Sequence, residues 1–346
     1  MALVKSSLYN AIVLVVAFTS AVQKTAAQAV LCGQYQTFNI ENNAWGAYAS
    51  GYESGAQCTT VEDEKDGTAF STTWEWTING DTDLETQVHS YANVKSKSSN
   101  LPVMLQNITA LEVSANWSMY PTANGNPKIF DVEGLTAIGA KADVTLDFFL
   151  DPDFKQSTNV TNPKFEVMIW FAAIDATEPI GYANGSIGSA VLDGKSYTLF
   201  TGHNFGQNNQ PGPGQEVFSF VAPENMTSFS QLNVLPLFQY LVEGNKMDAS
   251  TYLGTAQFGS EAIHSDGKNV TFDASNIDLT IQTTTSSVTP SKTNGAPAKT
   301  NGAPTNSKTA PAKSGAVSLM GVEGLTWCWG LLEGAVGVWM LWSWVL

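Results

Sequence analysis

Short runs of strand-forming residues recur throughout residues 30–282, and turn formers fill the gaps between them. Examples are STTWEWTI (71–78), ALEVSANWSMY (110–120), KADVTLDFFL (141–150), KFEVMIWF (164–171), SYTLFTG (196–202), QEVFSFVA (215–222) and NVTFDASNIDLTI (269–281), with Gly, Asn, Pro and Asp between. Strands of this kind bury one face each, and many of them bury it by stacking sheet on sheet. The pattern predicts an all-β sandwich. One stretch, roughly 229–243, carries helical spacing instead. There Leu232, Leu235, Phe238, Leu241 and Val242 share a face, with Pro236 as a kink or a late start.

The flanks differ in composition. At the start, Lys5, the apolar stretch 11–18 and the small residues Ala27 and Ala29 read as a secretory signal, residues 1–29, cleaved after Ala29. The apolar run is shorter than the ~20 residues that span a bilayer. Residues 283–315 are rich in Thr, Ser, Pro, Ala, Asn and Lys and repeat KTNGAP, which predicts an extended linker. Residues 316–346 are apolar, and two readings of them stand: a membrane segment, or the cleaved signal for a GPI anchor. The order favours the anchor signal: small residues Ser314-Gly315-Ala316, a spacer Val317–Thr326, then the tail Trp327–Leu346. The expected location is therefore extracellular, at the cell surface if the anchor is used.

Export makes further features coherent. Six N-x-[ST] sequons occur, at Asn107, Asn116, Asn159, Asn184, Asn225 and Asn269, and predict a glycosylated surface. Cys32 and Cys58 are expected to form a disulfide pinning the N-terminal strand, and Cys328 lies apart in the tail. The formal net charge is −15, and all 16 basic residues are lysines. Without arginine forks or a basic patch, a nucleic-acid partner is excluded. No CxxC or His/Cys cluster suggests a metal, and no cofactor is expected.

The KFEVMIWF run holds an acid where none is needed for packing. On a strand, Phe165, Val167 and Ile169 point one way and Glu166, Met168 and Trp170 the other. A carboxylate, a thioether and an indole in a row suit the lining of a groove. A second acid in uncharged surroundings is Glu261 in FGSEAIHS (258–265). Two carboxyls facing each other across a groove suit glycoside hydrolysis, one attacking the anomeric carbon and one protonating the leaving oxygen. A serine-hydrolase reading has no G-x-S-x-G elbow to rest on in the working domain, and His89, His203 and His264 share no motif.

In order along the chain, CGQY (32–35), NNAWG (42–46), SGAQCTT (54–60), WEW (74–76), HSYANV (89–94), KADVTLDFF (141–149), FEVMIW (165–170) and FGSE (258–261) resemble glycoside hydrolase family 12, the compact endo-β-1,4-glucanases and xyloglucan-specific endoglucanases. The resemblance covers Cys32 to about Ile281. It implies a jelly-roll sandwich of two antiparallel sheets with a concave substrate cleft and one packed helix. It also implies a monomer that takes β-glucan polysaccharide and hydrolyses it with retention. Glu166 would be the nucleophile, Glu261 the general acid/base, and Asp147 the residue assisting the nucleophile. Trp45, Met168 and Trp170 would line the sugar path, with Asn43 and Asn93 bonding sugar hydroxyls. Two departures stand out: Tyr35 or Phe38 replaces a tryptophan near the first cysteine, and the Gly/Pro-rich stretch 202–215 reads as a longer surface loop at one end of the groove. The rival expectation is a non-catalytic glycan-binding cell-wall protein on the same fold.

Overall fold

The computed structural model describes residues 29–39, 45–51, 57–64, 67–77, 87–125, 129–159, 163–204 and 214–284. Asn43, Cys328, the linker from residue 285 on, the apolar tail and the leader up to residue 28 lie outside the described residues, while Thr283, given to the linker, ends the last strand. Ala29, the predicted end of the leader, opens the first strand, where it pairs with Val61.

Among the described residues, sixteen strands follow one another with two short α-helices. The N-terminal part supplies β1 (Ala29–Leu31), β2 (Gln36–Asn39), β3 (Trp45–Gly51), β4 (Gln57–Glu64), β5 (Gly67–Trp74) and β6 (Ser90–Ser96). The middle supplies β7 (Val103–Met104), β8 (Ile108–Pro121), α1 (Val132–Ala137), β9 (Lys141–Asp151) and β10 (Phe165–Ile174). The remainder supplies β11 (Gly188–Leu192), β12 (Lys195–Asn204), β13 (Gln215–Val221), β14 (Ser228–Asn233), α2 (Leu235–Glu243), β15 (Tyr252–His264) and β16 (Val270–Thr283). One sheet has six strands in the order β1-β4-β5-β16-β8-β14. The other has ten, β11-β12-β13-β10-β9-β15-β6-β3-β2, with β7 beside β15. Pairing is antiparallel except between β10 and β13, which run parallel. The all-β sandwich is as expected.

Period-two alternation decides what each face meets. Phe165, Val167, Ile169 and Phe171 of β10, with Val144, Leu146, Phe148 and Leu150 of β9, are buried in the main core. The six-stranded sheet answers with Phe70, Met119 and Phe272. Cys32 and Cys58 are bonded, tying the end of β1 to β4 as predicted.

The helix differs from expectation at its start. Residues 228–233 form β14 on β8, and α2 begins only at Leu235, with Pro236 in its first turn. Proline's missing N–H costs nothing there, whereas inside a helix it would break a bond. Leu232, read as the first residue of the helical face, lies on β14, and its i, i+3 spacing to Leu235 spans the junction between that strand and α2. A register shift between Phe229 and Leu232, with Gln231 at φ 50°, leaves both of those side chains buried. Once formed, α2 buries Leu235, Leu237, Phe238 and Leu241, with the Phe238 ring edge-on to Phe148 at 5.1 Å. The sequence reading did not find α1, a six-residue helix capped by Asp131, which accepts the Gly134 N–H at 2.8 Å.

Candidate active site

The outer face of the ten-stranded sheet, opposite the core, carries the unusual chemistry. β10 presents Glu166, Met168 and Trp170 there, opposite Phe149, Asp147 and Thr145 of β9, and Asp143 follows on β9 opposite Ala173, past a register shift. On the other side of β9, β15 brings Gln257 opposite Asp147 and Gly259 opposite Thr145. β6 then sets Tyr91 against Glu261 and Asn93 against Gly259. At Gly259 a Cβ would lie 2.1 Å from the Ala92 carbonyl oxygen, so only glycine lets β6 and β15 pass this closely.

This face is strongly bent. Glu166 stands level with Phe149, and Glu261 stands level with Asp143, between the rungs Gly259–Thr145 and Ala262–Ala142. On a flat sheet, six residues along and two strands across would separate their Cα atoms by about 22 Å. Yet the charge on Glu261 raises the pKa of Glu166. Register shifts beside Trp170 in β10 and beside Leu253 and Ala262 in β15 bend these strands, and with the burial of the acids we read the face as concave. Burial says the same, since Glu166 is 7% exposed, Asp147 2% and Asn93 2% although none lies in the core. Glu261 is half-buried.

Four carboxyls share the concavity, in two pairs. Asp147 and Glu166 hydrogen-bond through their side chains. Asp143 and Glu261 do the same, and the Glu261 N–H also donates to Asp143 Oδ1 at 3.3 Å. Burial pushes all four above the ordinary carboxyl range, and their mutual repulsion adds to it for Glu166, Asp147 and Asp143. Against that trend, hydrogen bonds from Asp147 and Asn204 favour the anion at Glu166. The Tyr91 hydroxyl lies among the four acids, and its pKa is raised by burial and then by Asp147, Glu261, Asp143 and Glu166.

Met168, Trp170 and Val217 form a small apolar cluster of their own along this face, separate from the main core. Among the described residues, Asn93 Oδ1, Tyr91 Oη, Asp147 Oδ1, Ser219 Oγ and Trp170 Nε1 are buried without a hydrogen-bond partner. Unpaired buried polar atoms cost about 1–3 kcal/mol each, and natural folds carry few. Their concentration beside the acids marks a site kept for function.

The structure thus brings together Glu166, Glu261, Asp147, Met168, Trp170 and Asn93, whose amide donates to the Tyr91 carbonyl at 2.9 Å. The backbone of Trp45 opens β3 opposite Ser96, while its side chain, like all of Asn43, lies outside what is described. Asn107, Asn159, Asn184, Asn225 and Asn269 are exposed; Asn116 is half-buried on β8 and accepts from Ser228 Oγ at 2.6 Å. The stretch 202–215 needs correcting. Gly202, His203 and Asn204 continue β12 and Gln215 opens β13, so it is not loop throughout, and Asn204 reaches Glu166. Three residues escaped the sequence reading: Asp143, Tyr91 and Asn204. For Asp143 a signal existed, because it shares strand parity with Asp147 four residues on.

Comparison with known proteins agrees with this geometry. The family model described as Glycosyl hydrolase family 12 matches residues 36–288. The chain is 30% identical to the "Probable xyloglucan-specific endo-beta-1,4-glucanase A" of Aspergillus flavus, over 73% of this chain and 91% of that protein. It is 29% identical to the "Xyloglucan-specific endo-beta-1,4-glucanase A" of Emericella nidulans, over 73% and 92%. Among solved structures, Trichoderma harzianum endoglucanase 3 superposes with a TM-score of 0.56 at 25% identity, covering 73% of this chain and 97% of that one.

Proposed function

Because the chain belongs to glycosyl hydrolase family 12, we propose that it cleaves β-1,4-glucan backbones internally with retention of anomeric configuration, and that xyloglucan is its leading substrate. The observation that carries this reading is the burial of Glu166, Asp147 and Asp143, with half-buried Glu261, on a sheet face outside the core, where the Glu261 charge acts on Glu166. Glu166 serves as nucleophile: Asp147 and Asn204 favour its anion, and a Glu261 that carries its proton as the general acid no longer adds the charge that, after burial, holds the Glu166 carboxyl up. Its carboxylate attacks C1 while Glu261 gives its proton to the departing glycosidic oxygen, forming a covalent glycosyl-enzyme. Glu261 then takes a proton from water, the water oxygen attacks C1, and Glu166 leaves, so two inversions give net retention. Asp147 holds a proton and donates its hydrogen bond to Glu166.

Binding follows from the lining. Sugar rings present apolar C–H faces, which suit the indole of Trp170 and the thioether of Met168, and Trp45 is assigned the same stacking role. Asn93 and Asn43 are assigned to sugar hydroxyls. Preference for xyloglucan over unbranched glucan rests on the names of the curated relatives. The protein acts outside the cell as a monomer, glycosylated at its exposed sequons and held by a GPI anchor. No observation favours the binding-only alternative.

The test is release of reducing ends from xyloglucan and from carboxymethyl cellulose by wild type and Glu166→Gln. Wild type releases both, xyloglucan faster, and the variant loses at least about 10³-fold. Absence of release by wild type, or unaltered release by Glu166→Gln, refutes the reading.

A further inference from the structure

The central strand β9 supplies one aspartate to each of the two glutamates. Asp147, opposite Met168 on β10, serves Glu166 two residues along that strand. Four residues earlier, with the same parity, Asp143 faces Glu261 on β15. Resting on the glycosidase reading above, we infer that Asp143 is the positioning residue of the acid/base, fixing Glu261 at both its backbone and its carboxyl.

Three contacts support the assignment. Asp143 Oδ1 accepts the Glu261 N–H at 3.3 Å, which sets the backbone from which the glutamate departs. Asp143 Oδ2 is buried with no other hydrogen-bond partner, and the Asp143 carboxyl favours the anion at Glu261, as a donor to that side chain would. Ser260 Oγ donates to the Asp143 carbonyl oxygen at 2.7 Å, which locks β15 to β9 one residue before Glu261. Asp143 has no exposed surface, and nothing in packing calls for a carboxyl there. A buried acid is retained where its hydrogen bond serves another group.

The chemistry follows from which member keeps its proton. Asp143 is faced by Glu261 on β15, Asp147 on its own strand and Tyr91 on β6, none of them a cation. Burial and the Glu261 charge hold its proton firmly. When the O–H bond of Glu261 breaks and its proton joins the leaving oxygen, the new carboxylate accepts the hydrogen bond from Asp143. When water later returns a proton to Glu261, Asp143 still has its own. Asp143 touches neither water nor sugar in this scheme and acts only through Glu261.

The experiment compares Asp143→Ala and Asp143→Asn on two substrates, after melting confirms that both fold. Xyloglucan has a poor leaving group and needs the acid. 2,4-Dinitrophenyl β-cellobioside has a good one, and its kcat/KM reports the first step without it. We expect Asp143→Ala to lose about 10²-fold in kcat/KM on xyloglucan but less than about 3-fold on the dinitrophenyl glycoside. The asparagine keeps an acceptor and a donor in the same places and restores most of the xyloglucan activity. Should the alanine variant fail to fold, Asp143→Ser, too short to reach the Glu261 carboxyl, replaces it. Equal losses on both substrates, no loss on either, or an asparagine variant as impaired as alanine would overturn the assignment. Wild type inactive on both substrates fails the glycosidase reading itself, and this inference with it.

Discussion

Glu166→Gln should change the pH dependence of stability by a calculable amount. In the folded protein, burial and then the charge of Glu261 push the Glu166 carboxyl from an ordinary 4.5 up to about 8. The folded state therefore binds this proton more tightly than the unfolded chain. Its stabilising contribution is complete below about pH 4.5 and is lost as pH rises toward 8. The slope in between is about 1.4 kcal/mol per pH unit, so between pH 4 and pH 7 the wild type loses about 3 kcal/mol through this group. Glutamine does not titrate. It disturbs the hydrogen bonds to Asp147 and Asn204, a cost that does not vary with pH while Asp147, itself held well above the ordinary carboxyl range first by burial, keeps its proton. Hence the stability of the variant relative to wild type should rise by about 3 kcal/mol from pH 4 to pH 7, roughly 6–12 °C in Tm for a domain of this size. Thermal or urea unfolding of both proteins at a series of pH values measures it. Curves that stay parallel from pH 4 to pH 7 would refute the reasoning, because they would mean that Glu166 titrates as freely in the fold as in the open chain.

Three further outcomes follow. Asn204→Ala removes a bond that lowers the Glu166 pKa, so the acid limb of the kcat/KM profile on xyloglucan moves to higher pH; an unmoved limb counts against the contact. Phe238→Ala opens a cavity beneath Phe148 and should cost about 3–5 kcal/mol in urea unfolding, with the site chemistry unchanged in the surviving folded fraction. Replacing Cys32 and Cys58 together by serine frees a 26-residue separation and should cost on the order of 3 kcal/mol, read as a lower unfolding midpoint under non-reducing conditions.

Much of the site could be read from the chain because strand parity is local. KFEVMIWF announces its own two faces, and the structure buries Phe165, Val167 and Ile169 in the core while Glu166, Met168 and Trp170 line the opposite side. Other features depend on contacts that no local pattern encodes. Asp143 and Glu261 meet across a sequence gap of 118 residues, and only the pairing of β9 with β15 brings them together. Asn204 reads as loop because Gly and Pro follow it, yet pairing with Gln215 extends β12 far enough to reach Glu166. The early helix boundary failed because Leu232, near the end of a bulged strand, stands three residues before Leu235, where α2 begins. Curvature, the property that turns a sheet face into a cleft, is a collective outcome of twist over many strands and has no single residue to announce it.

The central claim is that Glu166 attacks the sugar and is carried through a covalent intermediate. The direct measurement is inactivation with 2,4-dinitrophenyl 2-deoxy-2-fluoro-β-cellobioside, followed by peptide mapping of the adduct. A slow-turnover fluoroglycosyl ester on Glu166 is the predicted result. Labelling of Asp147 or Glu261 instead, or hydrolysis of the polymer with inversion and no adduct, would contradict the account.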